Sequence, residues 1–98
     1  MPRISRHRDR AITGHLCSKT APVLAKQRSV FANGRAILTR GDRLAPHFIK
    51  KGFFCVPHPA KLKGSSRKVF AEGIGVGRRG DRADFGRMSG ASFTVFAG

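Results

Sequence analysis

The sequence predicts an all-β fold built from three pseudo-equivalent hairpins, on three observations: a recurring Val-Phe-Ala ribbon, a Gly-Asp at fixed distance after each internal turn, and a glycine density hostile to helix. Val30-Phe31-Ala32-Asn33-Gly34 returns 39 residues later as Val69-Phe70-Ala71-Glu72-Gly73, and again at the end as Val95-Phe96-Ala97-Gly98. Seven residues after Gly34 and Gly73 come Gly41-Asp42-Arg43 and Gly80-Asp81-Arg82. Asp9-Arg10-Ala11 is the remnant that opens a first unit. Gly73, Gly75, Gly77, Gly80, Gly86 and Gly90 exclude a helix in the last third of the chain, since each interior glycine costs about 1 kcal/mol.

In chain order, residues 1–8 form a basic N-terminal segment outside a single domain spanning residues 9–98. Ala21 to Arg28 and Leu44 to Lys51 have the only patterns compatible with a turn or so of helix. Val30-Phe31-Ala32 and Ala36-Ile37-Leu38 flank Asn33-Gly34, a strong hairpin signal because both turn positions favour positive φ. In the second copy Glu72 replaces the asparagine, which predicts a different turn type. Gly64-Ser65-Ser66 and Gly90-Ala91-Ser92 stand five residues before their valines, where the first copy has Ala25-Lys26-Gln27. Phe31, Phe70 and Phe96 hold repeated strand positions and are expected in the core. Three such hairpins around one axis each bury a face that none could bury alone.

A chain of 98 residues supports one small domain, and its Ile, Leu, Val and Phe total only 24, so extra cross-linking is expected. Lys plus Arg number 20 against five acidic residues, a net charge of +15 that directs attention to polyanions and anionic membrane surfaces. No apolar run is long enough to span a bilayer and no signal-peptide core follows the basic start, so synthesis in the cytoplasm is expected. There Cys17 and Cys55 would stay reduced, leaving a metal as the expected cross-link.

Six side chains are candidate ligands: His7, His15, Cys17, His47, Cys55 and His58. Cys55 and His58 form a C-x2-H pair stiffened by Pro57 and Pro59. His15 and His47 occupy matching places in the repeat, whereas the third unit has Gly86 near that place. The expected set is therefore His15, His47, Cys55 and His58, four N/S donors in the closed arrangement of a structural zinc. Cys17 competes for the cysteine position and is expected to be a buried free thiol; His7 is expected to be solvated.

Other motifs carry less. Gly75-x-Gly77-x-x-Gly80 matches a dinucleotide fingerprint as a string, but no helix pattern follows it. Arg79-Gly80-Asp81 spells an adhesion tripeptide, yet its Gly-Asp recurs at Gly41-Asp42 as a turn. Three of the five acidic residues, Asp9, Asp42 and Asp81, fall at repeated turn-capping positions, which leaves no carboxylate pair for catalysis and predicts no enzyme. The basic residues are scattered, without Tyr or Trp between them. A basic zinc protein that binds nucleic acid is the alternative reading on charge.

Taken together, the hairpin units, the Gly-Asp recurrences and the His/Cys set resemble the PAAR-repeat proteins, which sharpen the spikes of contractile phage tails and of type VI secretion systems. The Gly34 to Gly41 and Gly73 to Gly80 spacings match that family's turn-to-Gly-Asp spacing, while the Pro-Ala-Ala-Arg tetrapeptide is degenerate: of it Gly75-Val76-Gly77-Arg78 keeps only the arginine. The resemblance implies a small cone with a flat triangular base and a zinc near the apex, held by three histidines and one cysteine, the roles of His15, His47, His58 and Cys55. It implies a base that plugs a trimeric β-helical tail spike, a place in the virion at the tip of the tail baseplate, and a bacterial outer membrane as target. It favours an unadorned spike tip, as of a T4-like phage, over a toxin-bearing effector.

Overall fold

The computed structural model describes residues 2–15 and 17–98; Met1, in the segment set apart by its charge, and Leu16, between His15 and Cys17, lie outside the described residues. Among the described residues the chain forms ten short strands and no helix. They pair as five sequential antiparallel hairpins: β1 (Arg10–Ile12) with β2 (Thr20–Pro22), β3 (Phe31–Ala32) with β4 (Arg35–Ala36), β5 (His47–Lys51) with β6 (Phe54–His58), β7 (Phe70–Ala71) with β8 (Ile74–Gly75), and β9 (Arg82–Ala83) with β10 (Gly86–Arg87). The all-β expectation holds. The two segments with helical potential do not use it: residues 21–28 enter β2 and then an irregular stretch, and residues 47–51 are β5.

A pseudo-threefold axis is visible in the backbone hydrogen bonds. The Ser5 N–H donates to the Gly77 carbonyl (2.9 Å), the Gly77 N–H to Leu38 (2.7 Å) and the Leu38 N–H to Ser5 (3.0 Å), which closes a ring. Isolated bridges repeat the cycle, Arg6 with Ile37, Thr39 with Val76 and Arg78 with Ile4. A second cycle joins Val23 to Leu44, Leu62 to Ala83 and Met88 to Ala11. Each unit pairs with the next through these bridges, which closes the ring at two levels while the hairpins themselves stay two-stranded.

β3–β4 and β7–β8 lie at one end of the ring, its base, and the third pairing there joins residues 3–4 to residues 95–96. Arg3 bridges Phe96, and the Ile4 N–H donates to Val95 (2.8 Å) just as Ile37 does to Val30 (2.9 Å) and Val76 to Val69 (3.1 Å). This corrects the boundary at residue 8: Ile4 and Ser5 are buried, and Arg3 to Arg8 complete the ring instead of preceding it. Nor is His7 merely solvated, because its Nδ1 accepts the Ala25 N–H (2.9 Å). A segment whose one apolar side chain between Arg3 and Arg8 is Ile4 reads as solvent-facing by composition.

The repeated polar residues hold the turns between layers. Asp9, Asp42 and Asp81 each accept the amide three residues earlier, from Arg6 (2.7 Å), Thr39 (2.8 Å) and Arg78 (2.8 Å). The residue before each aspartate has positive φ: Arg8 at 70°, Gly41 at 92° and Gly80 at 89°. Gln27, Ser66 and Ser92 each cap the turn leading into a Val-Phe-Ala strand by accepting two backbone N–H groups. The base turns are alike as well, contrary to the expectation for Glu72: Asn33 and Glu72 both sit at positive φ, 53° and 51°, each followed by a glycine at 78°. Context imposes on the glutamate the conformation that asparagine adopts readily.

The core lies in two layers along each unit. Ile4, Ile37 and Val76 pack with Ala32, Ala71 and Ala97 in the layer formed by the Val-Phe-Ala strands. Val23, Leu38, Leu44, Leu62 and Met88, with Ala11, Ala21 and Ala83, form the next. The phenylalanines were expected inside, and the structure places them outside: Phe31 is 56% exposed, Phe70 57% and Phe96 45%. On a strand adjacent side chains face opposite ways, and near a crowded threefold axis the small alanine turns inward. All eight phenylalanines are exposed.

Where the hairpins meet, one glycine has no substitute. A Cβ at Gly86, in β10, would collide with the Ile12 carbonyl in β1. Gly86→Ala is expected to cost about 1–3 kcal/mol, as overpacked cores do, measured by equilibrium chemical denaturation; a loss below about 0.5 kcal/mol would mean that β1 and β10 can separate freely.

Candidate metal centre

Beyond the second core layer, three hairpins of unequal length bring four side chains together. His47 opens β5 and His58 closes β6, and the register places them opposite each other at the root of that hairpin. His15 comes from the connection between β1 and β2, where its N–H donates to Thr13 Oγ1 (3.1 Å). Asp84 comes from the two-residue turn between β9 and β10, at φ 56°. Asparagine and aspartate tolerate that conformation better than other side-chain-bearing residues.

One ligand atom from each of His15, His47, His58 and Asp84 lies within 4.8 Å of the other three, so the cluster can hold a metal ion. Asp84 Oδ2 stands 2.6 Å from His15 Nε2 and 2.8 Å from His47 Nε2, and Oδ1 stands 3.2 Å from His58 Nε2. Donors around a tetrahedral ion with bonds of roughly 2.0–2.1 Å are about 3.3 Å apart, so small side-chain shifts suffice to admit one. The site is sheltered: His47 is 3% exposed and Asp84 7%.

The hydrogen-bond partners of His47 suit a metal-binding imidazole. Its Nδ1 lies 3.1 Å from the Ala45 carbonyl. A carbonyl only accepts, so Nδ1 carries the hydrogen, and in a neutral ring Nε2 is left with a lone pair aimed at Asp84 Oδ2. At 2.8 Å from that oxygen, the lone pair is satisfied either by a proton shared with the carboxyl group or by an ion bound by all four groups. A backbone carbonyl on the far nitrogen is also the usual way to orient a metal-binding imidazole. Burial pushes the Asp84 carboxyl up, but hydrogen bonds from His47, His58 and His15, with the charge of His15, outweigh it and hold the group below the ordinary aspartate value.

Of the residues named from sequence, His15, His47 and His58 meet and Cys55 does not. Cys55 is joined to Cys17 in a disulfide, with Cα atoms 6.0 Å apart. This corrects three expectations: Cys55 is no ligand, Cys17 is no free thiol, and the pair is not reduced. The reason is strand parity. In β6 Cys55 and His58 are three residues apart and therefore point to opposite faces, so a C-x2-H pair on a straight strand cannot converge on one ion as it would on a turn. The fourth donor, Asp84, is not among the sequence candidates, although it is the acidic residue left once the three turn aspartates and Glu72, in a base turn, are assigned. No protein-family model matches this chain, and no curated protein matches it in sequence.

Proposed function

We propose that this protein is the tip of a trimeric β-helical spike on a contractile phage tail, a PAAR-like cap carried in the virion at the baseplate after synthesis in the host cytoplasm. One observation carries the reading: a single chain closes around a pseudo-threefold axis, with Phe31, Phe70 and Phe96 exposed around the layer at one end and a cluster of four metal donors toward the other. A chain with three similar units can seat on a trimer with true threefold symmetry. Its exposed phenylalanines, backed by Val30, Val69 and Val95, supply the apolar contact such a joint requires. The four-donor set leaves no open coordination position, which favours a structural role, and zinc is the ion that best suits three imidazoles and a carboxylate. The Cys17–Cys55 disulfide fits a particle that works outside the reducing cytosol. The role is mechanical: a contracting sheath drives the spike, and a cross-linked tip concentrates the force on the bacterial outer membrane.

The test is reconstitution with a trimeric β-helical phage tail spike. One chain should bind per three spike chains, and the triple change Phe31→Ser, Phe70→Ser, Phe96→Ser should weaken the complex by about a hundredfold or more, as removal of several buried anchors does. A triple variant that binds as well as the original chain would end this reading. The alternative, a zinc protein that binds nucleic acid, gains from the exposed phenylalanines, which offer stacking surfaces amid a net charge of +15. It requires tight binding to DNA or RNA with a steep salt dependence and no need for a β-helical partner.

A further inference from the structure

The longest hairpin, β5 with β6, carries the metal donors at its root and continues well past them. From His47 to Lys51 it rises four residues, about 13 Å at the usual strand spacing, to a turn at Gly52 and Phe53. Every residue from Lys50 to Cys55 is exposed. Phe53 is 99% exposed and Phe54 74%. Two adjacent phenylalanines in water at the end of a projecting ribbon are an unfavourable arrangement for a free tip.

We infer that this tip, Lys50-Lys51-Gly52-Phe53-Phe54, is a docking finger for an anionic phospholipid bilayer, with the two rings entering between headgroups and the two ammonium groups held at the phosphate level. Three observations select lipid over a protein partner. The tip is a two-residue turn with its flanks, far short of the roughly 800 Å² per partner that a specific protein contact buries. Its charge is of one sign, and no acidic residue occurs anywhere between Asp42 and Glu72. Lysine beside an aromatic ring suits the boundary between headgroup and hydrocarbon, because the apolar stem can lie along the acyl region while the ammonium stays wet. Entry is shallow. The open edges of a two-stranded ribbon leave backbone groups that hydrocarbon cannot satisfy, so only the turn can be immersed. Stiffness at the root serves the same end: His47 and His58 belong to the donor cluster, and Cys55, opposite Lys50, is bonded to Cys17.

The inference takes from the spike-tip reading only that the metal-bearing end faces a membrane. The chain contains no Trp or Tyr, so Phe53→Trp introduces a single fluorophore of that kind. With vesicles of phosphatidylethanolamine and phosphatidylglycerol, the emission of Phe53→Trp should move to shorter wavelength and be quenched by brominated acyl chains. Phe93→Trp, at an exposed position next to the Ser92 cap of the base, should be unaffected. Phe53→Ser with Phe54→Ser should reduce vesicle partition by about a hundredfold, as loss of two buried rings implies. Lys50→Glu with Lys51→Glu should weaken binding to these vesicles and leave the small affinity for phosphatidylcholine vesicles unchanged. A serine pair that partitions like the original protein would assign binding to the basic coat alone and overturn the inference, as would equal shifts at positions 53 and 93. Self-association without vesicles that the serine pair abolishes would assign the tip to a second copy, and also overturn it. Failure to bind the trimeric spike leaves these vesicle results standing, and failure on vesicles leaves the spike complex standing, so the two readings fall separately.

Discussion

His47→Ala is expected to yield a chain without its equivalent of metal that melts about 15 °C or more below the original protein. The change removes a donor 3% exposed and leaves Asp84, 7% exposed, with fewer partners for its charge. Taking one member from a buried charged cluster costs about 3–5 kcal/mol, and in a domain of this size each kcal/mol shifts the melting temperature by about 4–8 °C. Loss of metal adds to this, because the donors are not assembled in the unfolded chain and binding energy is therefore folding energy. Asp84→Asn should also lose the ion, and Cys55→Ser should keep it; elemental analysis of the three variants checks the assignment. A Cys55→Ser chain without metal beside an Asp84→Asn chain with metal would restore the thiolate as ligand. In the metal-free protein the pH dependence has a definite sign. Asp84 titrates lower folded than unfolded, so its contribution is complete above the unfolded value of about 3.9 and is lost as pH falls through the folded value below that. Asp84→Asn should remove that acid limb from the stability profile.

The repeat makes most of the architecture legible in the sequence itself. Val-Phe-Ala, the turn glycines and Gly-Asp recur at equal spacings, and equal spacing in one chain implies equivalent places around a common centre. The three histidines at the cluster were legible because their residue type is rare here and two of them fall at matching positions. What escaped was whatever depends on which face a side chain takes. Phe31 and Ala32 are both apolar, and a strand of two residues has no period from which to choose the inner one. The crowding at the axis decides it, and crowding is a property of the assembled ring. Cys17 and Cys55 lie 38 residues apart in sequence, and their meeting depends on the height to which two different hairpins rise. Asp84 was hidden for a related reason. β9–β10, which carries Asp84, is shorter than β1–β2 and β5–β6, so its turn lies at the level where those longer elements supply imidazoles.

Two cross-links act on the same pair of elements, and this fixes what happens when both are removed. The disulfide joins the β1–β2 connection to β6, and the donor cluster joins that connection, through His15, to both ends of the β5–β6 hairpin and to Asp84. Closing a loop of 38 residues restricts the unfolded chain by about 4 kcal/mol in the chain-entropy account. A bound structural metal contributes several more. Domains of this size have only about 5–15 kcal/mol in total, and this one draws on a core in which Ala11, Ala21, Ala32, Ala71, Ala83 and Ala97 hold many of the buried places. Each link alone should therefore leave a folded protein, because either one still anchors the His15 segment against β5 and β6. Chelation under oxidising conditions and reduction in the presence of metal should each lower the melting temperature and retain a cooperative transition. Chelation with reduction should leave no transition, since the combined loss reaches the whole stability of the domain. Circular dichroism melts of the four states measure this directly. A reduced, metal-free chain that still unfolds cooperatively would show that the alanine-rich core suffices by itself, and the structural role assigned to both links would then be wrong.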